Sequence, residues 1–267
     1  MKITRSLRAG IAALILAFTP VLTAAPATAA PLPTIVLVHG AFADTTSWNS
    51  VAAMLRDRGY QVVVPDNPLR GPANDAAAVQ RTLDTISGPI VLVGHSYGGF
   101  VISNVHDPKV QALVYIAAFA PVQGEFGLLE LDPIRFPGSQ LLPPALQFRL
   151  VDDPSGLAGR NLDSYIAQDH FNAVFAQDVS ADVAADMFAH QRSLAVAANV
   201  EPSSAPLWSS VPSWYLVSAN DHVIPPASQR FMANRMGAHT SEIASSHVSL
   251  VSHPAEVAAV VEAAAGQ

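Results

Sequence analysis

The sequence predicts an α/β protein: a six-stranded, mostly parallel sheet with helices on both faces and a helical cap inserted after the fourth strand. Three observations carry this. Short continuous apolar runs alternate with segments of helical period, the pattern of strands covered on both faces. One long interval, residues 121–211, interrupts the alternation. Half of the 267 residues are hydrophobic and only 13% are charged, enough for one large core.

The strand-like runs are residues 34–38 (TIVLV), 61–64, 90–93, 112–116, 214–217 and, more weakly, 240–243. Helical patterns fill residues 48–58, 73–86, 98–105, 226–236 and 254–265. Such alternation connects parallel strands by right-handed crossovers, with a core built from residues 30–120 and 212–267.

The interval 121–211 shows no comparable β-run. Pro143-Pro144, Pro154 and Gly156 punctuate it as loop. Phe171 and Phe175, and Val183 and Met187, sit four apart, and Ser180 is placed to cap the second of these helices. A helical insertion here reads as a cap over the carboxyl edge of the sheet, where ligands bind in open α/β folds.

The first residues follow a different rule. Lys2, Arg5 and Arg8 precede an uncharged stretch rich in Ala, Leu and Ile, and Ala27-Thr28-Ala29 supplies small residues where a signal peptidase reads. Residues 1–29 are therefore expected to be a signal peptide, cleaved after Ala29, and the protein to be secreted. A membrane anchor is the competing reading, since residues 9–30 carry no charge, but Pro20 and Pro26 interrupt them. Cleavage leaves no stable anchor and takes the formal charge from −7 to about −10.

There is no cysteine, which excludes a disulfide, a thiolate metal site and a cysteine nucleophile. No basic stripe appears, so nucleic acid is not expected as a partner. No H-E-x-x-H or other ligand cluster is present, and neither a metal nor a cofactor is expected. Nothing in the sequence fixes an oligomeric state.

The chemistry concentrates at Gly94-His95-Ser96-Tyr97-Gly98, a G-x-S-x-G motif between a strand and a helix. A serine on such a tight turn stands at a helix N-terminus, where backbone N–H groups favour developing negative charge. It needs a base to activate it and an acid to orient that base. Asp221 follows the fifth strand in Ser218-Ala219-Asn220-Asp221, and the segment after the fourth, Ala117-Ala118-Phe119-Ala120, offers no acid. Without Ser96, Asp221 would read as an ordinary turn aspartate. His247 follows the last strand in Ala244-Ser245-Ser246-His247. His253, beside Pro254, is the competing base and reads better as a solvent-facing residue at a helix start. His222 reads as a loop neighbour.

Val38-His39-Gly40-Ala41-Phe42 follows the first strand. The backbone N–H of Ala41, with Phe42 as second choice, is expected to join that of Tyr97 as an oxyanion donor. His39 reads as a hydrogen-bonding brace of this loop. Phe42 and Tyr97 are expected to line the substrate pocket.

Together these residues resemble the α/β-hydrolase superfamily over essentially the whole mature chain. The compact form, with Val-His-Gly-Ala near the start, is most similar to the group containing plant methyl-ester esterases and hydroxynitrile lyases, with related bacterial esterases. PSWYLVSANDHVIPP (residues 212–226) and SHVSLVSHP (residues 246–254) look especially like bacterial members. The resemblance implies an esterase acting on a small ester through Ser96, His247 and Asp221. Haloalkane dehalogenases of this fold carry aspartate where Ser96 stands. Hydroxynitrile lyases typically have threonine at the position of Gly40 and lysine after the histidine, where this chain has Val248. A lyase-like or perhydrolase activity on the same triad, and a non-catalytic ligand binder of the same fold, are the alternatives.

Overall fold

The structure, a computed structural model, describes residues 31–266. The expected signal segment lies outside them.

Six strands form the main sheet: β1 (Thr34–Val38), β2 (Val62–Val63), β3 (Ile90–His95), β4 (Val110–Ile116), then, after the cap, β8 (Ser213–Ser218) and β9 (His239–Ile243). Their order is β2-β1-β3-β4-β8-β9, and every pairing is parallel. The six sequence runs thus correspond to six strands, although the second shrinks to two residues. β3 is buried along its whole length, and residues 35–38 of β1 are inaccessible, which explains the absence of polar alternation in both.

Helices α1 (Asn49–Asp57), α2 (Pro72–Leu83) and α3 (Gly98–Ser103) follow the first three strands. The last part of the chain adds α7 (Pro226–Met236), α8 (Ser249–Ser252) and α9 (Pro254–Ala265). α9 buries Val257, Ala258, Val261, Ala264 and Ala265, the stripe expected of an amphipathic helix, against α1 and strands β3, β4 and β8. α2 and α3 pack together, with α3 on strands β1, β3 and β4.

β2 lies on one side of β1 and β3 on the other, so the connections change direction between β1 and β3. The carboxyl ends of these two strands therefore open a crevice, the place where this architecture receives ligands. Gly40–Phe42 leave β1 there and Ser96 leaves β3 there.

The cap between β4 and β8 is only partly helical. It contains α4 (Gly127–Glu130), α5 (Gln168–Phe175) and α6 (Ala181–Ala189), the last capped by the Ser180 hydroxyl on the Val183 N–H, as expected. It also contains a three-stranded antiparallel sheet of β5 (Leu146–Leu157), β6 (Arg160–Ile166) and β7 (Leu194–Ala195), which corrects the all-helical expectation. The reason is physical. No residue of β5 is buried, and Phe148 and Leu150 stand 49% and 55% exposed, so this strand mixes apolar and polar residues, as in Leu146-Gln147-Phe148-Arg149-Leu150, and lacks the continuous apolar run of the core strands. A left-handed pair, Ala158 (φ 52°) and Gly159 (φ 76°), turns the hairpin, and an irregularity after Asp152 accommodates Pro154.

Candidate active site

Ser96 follows β3 directly with φ 53°, a left-handed conformation uncommon for a residue with a side chain. The turn is held by the Ser96 carbonyl, which accepts from the N–H groups of Gly99 (2.9 Å) and Phe119 (3.2 Å). Its glycines are sterically required. A Cβ on Gly98 would lie 2.6 Å from the Val38 carbonyl oxygen, and one on Gly94 would lie 2.6 Å from that of Gly98. Helix and strand therefore approach too closely for a side chain at either glycine.

The three residues proposed from sequence meet. Ser96 Oγ lies 2.8 Å from His247 Nε2, and His247 Nδ1 lies 2.7 Å from Asp221 Oδ2. Asp221 and His247 sit in the loops after β8 and β9, neighbouring strands at the same sheet edge. Ser96, Asp221 and His247 are 4%, 3% and 0% exposed, so all three act outside bulk water. Every lone-pair direction of Asp221 has a use: Oδ1 accepts from the N–H groups of Val223 (2.6 Å) and Ile224 (3.0 Å), and Oδ2 also accepts from Gln229 Nε2 (2.7 Å). His253 bonds none of the three. It starts α9, partly exposed, 3.9 Å from Asp178 and 3.8 Å from Glu256. His222 bonds the Ala173 carbonyl as a loop neighbour.

Two further histidines brace the site. His39 Nε2 accepts from the Asn67 N–H (3.2 Å), which leaves Nδ1–H to donate to the Gly40 carbonyl (2.9 Å). Burial holds its pKa below the usual histidine range, so it stays neutral in this role. His95 donates from Nε2 to the carbonyl of His247 (2.9 Å), and burial, then the neighbouring His247, keep it well below that range as well.

The N–H groups of Phe42, Ala41 and Tyr97 differ in the bonds they already make. Phe42 (φ 61°) spends its N–H on the carbonyl of Arg192 in the cap (3.0 Å). Neither Ala41 nor Tyr97 donates its N–H to another described residue, and both face the same cavity as Ser96. That bond occupies the Phe42 N–H and leaves that of Ala41 facing the cavity.

The cavity has a volume of about 340 Å³ and is overwhelmingly apolar. Ser96, Ala41, Phe42 and Tyr97 line it together with Leu131, Leu141 and Leu146 of the cap. Among the described residues no group of three or more acidic or histidine side chains is set to hold a metal. Sequence reasoning missed Gln229, His95 as a brace, Asn67, and Phe175, whose ring packs on His247. Gln229 left a trace: it shares a buried helical stripe with Met232 and Ala233, where a polar residue demands a partner.

The chain matches a model of the "Alpha/beta hydrolase family" over residues 35–260. A carbendazim hydrolyzing esterase of Nocardioides sp. (strain SG-4G) is 36% identical over 131 residues, 43% of this chain and 51% of that protein, so this match spans about half of the relative. A pyrethroid hydrolase of Sphingobium wenxiniae is 26% identical over 249 residues, 85% of each chain. The crystal structure of polyneuridine aldehyde esterase superposes with a TM-score of 0.74 at 19% identity, covering 87% of this chain and 99% of that one. At that identity the likeness speaks to the fold alone. Matched from the first strand into the last helix, the chain belongs to the alpha/beta hydrolase family.

Proposed function

We propose that this protein is a serine esterase that cleaves carboxylic esters of small to medium apolar substrates through an acyl-enzyme. The observation that carries the reading is the unbroken chain Ser96 Oγ–His247–Asp221, at 2.8 and 2.7 Å, with Ser96 lining an apolar cavity. His247 Nε2 takes the proton of Ser96 as Oγ attacks the ester carbonyl. Asp221 orients the ring and stabilises the imidazolium. The N–H groups of Ala41 and Tyr97 receive the oxyanion, His247 returns the proton to the leaving alcohol, and water then cleaves the acyl-enzyme by the same route. The names of the two esterase-like relatives support an ester as substrate.

The lyase alternative gains no support. A Cβ on Gly40 would lie 2.6 Å from that of Ser96, leaving no room for threonine, and Val248 after the histidine is buried and apolar. The test is labelling with a fluorophosphonate, followed by peptide mapping. The expected result is one adduct, on Ser96, with loss of p-nitrophenyl butyrate hydrolysis. An adduct elsewhere, or full turnover by Ser96→Ala, would overturn the reading.

The same proposal includes export with cleavage after Ala29. No helix among the described residues is long and apolar enough to cross a membrane. Mass spectrometry of protein from the native host is expected to find Ala30 at the N-terminus; full-length chain in the membrane fraction would mean an anchor instead.

A further inference from the structure

Asp75 is a buried acid that the mechanism above does not use. It lies in the first turn of α2 and is completely inaccessible. Its Oδ2 accepts the hydroxyl proton of Tyr97 at 2.8 Å. Both carboxylate oxygens lie 3.1 Å from the Arg70 N–H, and Oδ2 lies 3.4 Å from that of Gly71. Burial pushes the Tyr97 phenol well above its usual range, with the adjacent carboxylate adding to it, so the hydroxyl remains a donor. Burial also pushes Asp75 upward, against the pull of the three groups that donate to it.

The donor is the residue that follows Ser96. Tyr97 is N-cap of α3, its ring packs 6.4 Å from Phe100, and only 3% of it is exposed. With the phenol pinned at one end and the turn at the other, the peptide N–H between them has little freedom. The loop that leads into α2 is itself gripped by the cap. Arg70 donates from Nη1 to Asp163 (2.9 Å) and Asp153 (3.0 Å), and from Nη2 to Asp163 (2.7 Å). Leu69 accepts from the Ala195 N–H (3.0 Å). All three cap strands therefore hold this loop.

We propose that Asp75 is a positioning residue for ester hydrolysis: through the Tyr97 hydroxyl it fixes the Tyr97 N–H at the oxyanion position, and through Arg70 it ties that donor to the cap hairpin. The proposal rests on the esterase reading given above. A plain helix-start role does not account for the arrangement. The N-cap of α2 is Gly71, and the side-chain donor that reaches Asp75 belongs to the neighbour of the nucleophile.

The test uses the full-length enzyme with Tyr97→Phe, Asp75→Asn and the double variant. Three quantities are read: kcat and KM for p-nitrophenyl butyrate, Ki for an alkyl trifluoromethyl ketone, and Tm. The ketone adds Ser96 Oγ to its carbonyl carbon and leaves an oxyanion, so its Ki reports the oxyanion donors directly. Losing a donor outright costs about a hundredfold or more, so misplacing one is expected to lower kcat roughly tenfold and raise Ki by a similar factor, with KM changed less than about twofold. The double variant is expected to be no worse than either single one. Asp163→Asn is expected to show the same signature at roughly threefold amplitude. Unchanged kcat and Ki in Tyr97→Phe, whatever its Tm, would overturn the proposal, as would additive losses; Tyr97→Phe decides alone if Asp75→Asn does not fold. An unaffected Asp163→Asn would overturn the link to the cap. The esterase reading has its own readout, fluorophosphonate labelling of Ser96 in the unmodified enzyme, whose absence would defeat both.

Discussion

The ring of Phe175, at the end of α5 in the cap, lies 5.1 Å from the ring of His247. It also meets Phe42 edge-on at 6.3 Å and Phe171 at 5.0 Å, and it is fully buried. One cap residue thus covers the imidazole and supports the loop after β1. Removing it opens a cavity beside the base and admits water. Phe175→Ala is expected to cost about 3–5 kcal/mol in a urea titration. The residual folded enzyme is expected to lose roughly tenfold in kcat, because the Ser96–His247–Asp221 chain then competes with solvent. Wild-type kcat in this variant would show that the cap does not shield the base.

The two histidines of the C-terminal segment separate cleanly by geometry. His247 touches Ser96 and Asp221, whereas His253 faces the carboxylates of Asp178 at 3.9 Å and Glu256 at 3.8 Å. His247→Ala is expected to lower kcat by about 10³-fold or more, comparable to Ser96→Ala, with Asp221→Asn somewhat less affected. Pairwise combinations are expected to add little to the worst single loss, since the three act as a unit. His253→Ala is expected to stay within about twofold of wild type. Initial rates with a p-nitrophenyl ester check all four, and an inverted order of the two histidines would refute the assignment.

Gly40 makes a sharper steric prediction. A Cβ there would lie 2.6 Å from Ser96 Cβ and 2.9 Å from the His95 carbonyl oxygen, both parts of the strained turn. Gly40→Ala therefore has to displace the nucleophile or the loop that carries the Ala41 N–H. Its expected cost is about 10²-fold in kcat/KM, read together with the rate of fluorophosphonate labelling. A variant with normal labelling and turnover would mean that the loop yields freely.

What the sequence exposed and what it concealed follow from the kind of constraint involved. Continuous apolar runs and a G-x-S-x-G turn are local, so β1, β3 and the position of Ser96 were legible. Asp221 and His247 were legible because each follows a recognisable strand and the chain order is fixed by topology. The cap strands were concealed because Leu146, Phe148 and Leu150 alternate with polar residues, a weaker signal than a buried run, and Pro154 argued against a strand. Long-range partners outside the triad left no trace. Nothing in Arg70 or Asp163 announces a contact across 93 positions, nor in Phe42 that Arg192 will occupy its N–H.

The shape of the cavity sets the last expectation, a limit on acyl length. Leu131, Leu141 and Leu146 bound a space of about 340 Å³ whose polar groups are few, so each methylene that enters is desolvated without loss of hydrogen bonds. At about 0.8 kcal/mol per buried methylene, kcat/KM gains roughly fourfold per added carbon while room remains. Once the space is full, a further methylene must push on side chains packed against the core or extend past Leu128 and Leu142, which stand 53% and 58% exposed at the cavity wall. The gain then stops, and overpacking reverses it. Measured from acetate to palmitate with a common p-nitrophenyl leaving group, kcat/KM is therefore expected to peak at short or medium length. Leu146→Ala, which removes a half-buried wall of the cap, is expected to move that peak by about two carbons towards longer chains. A steady rise to palmitate, accompanied by activation at an oil–water interface, would identify a cap that opens over the cavity and would refute the closed-pocket account.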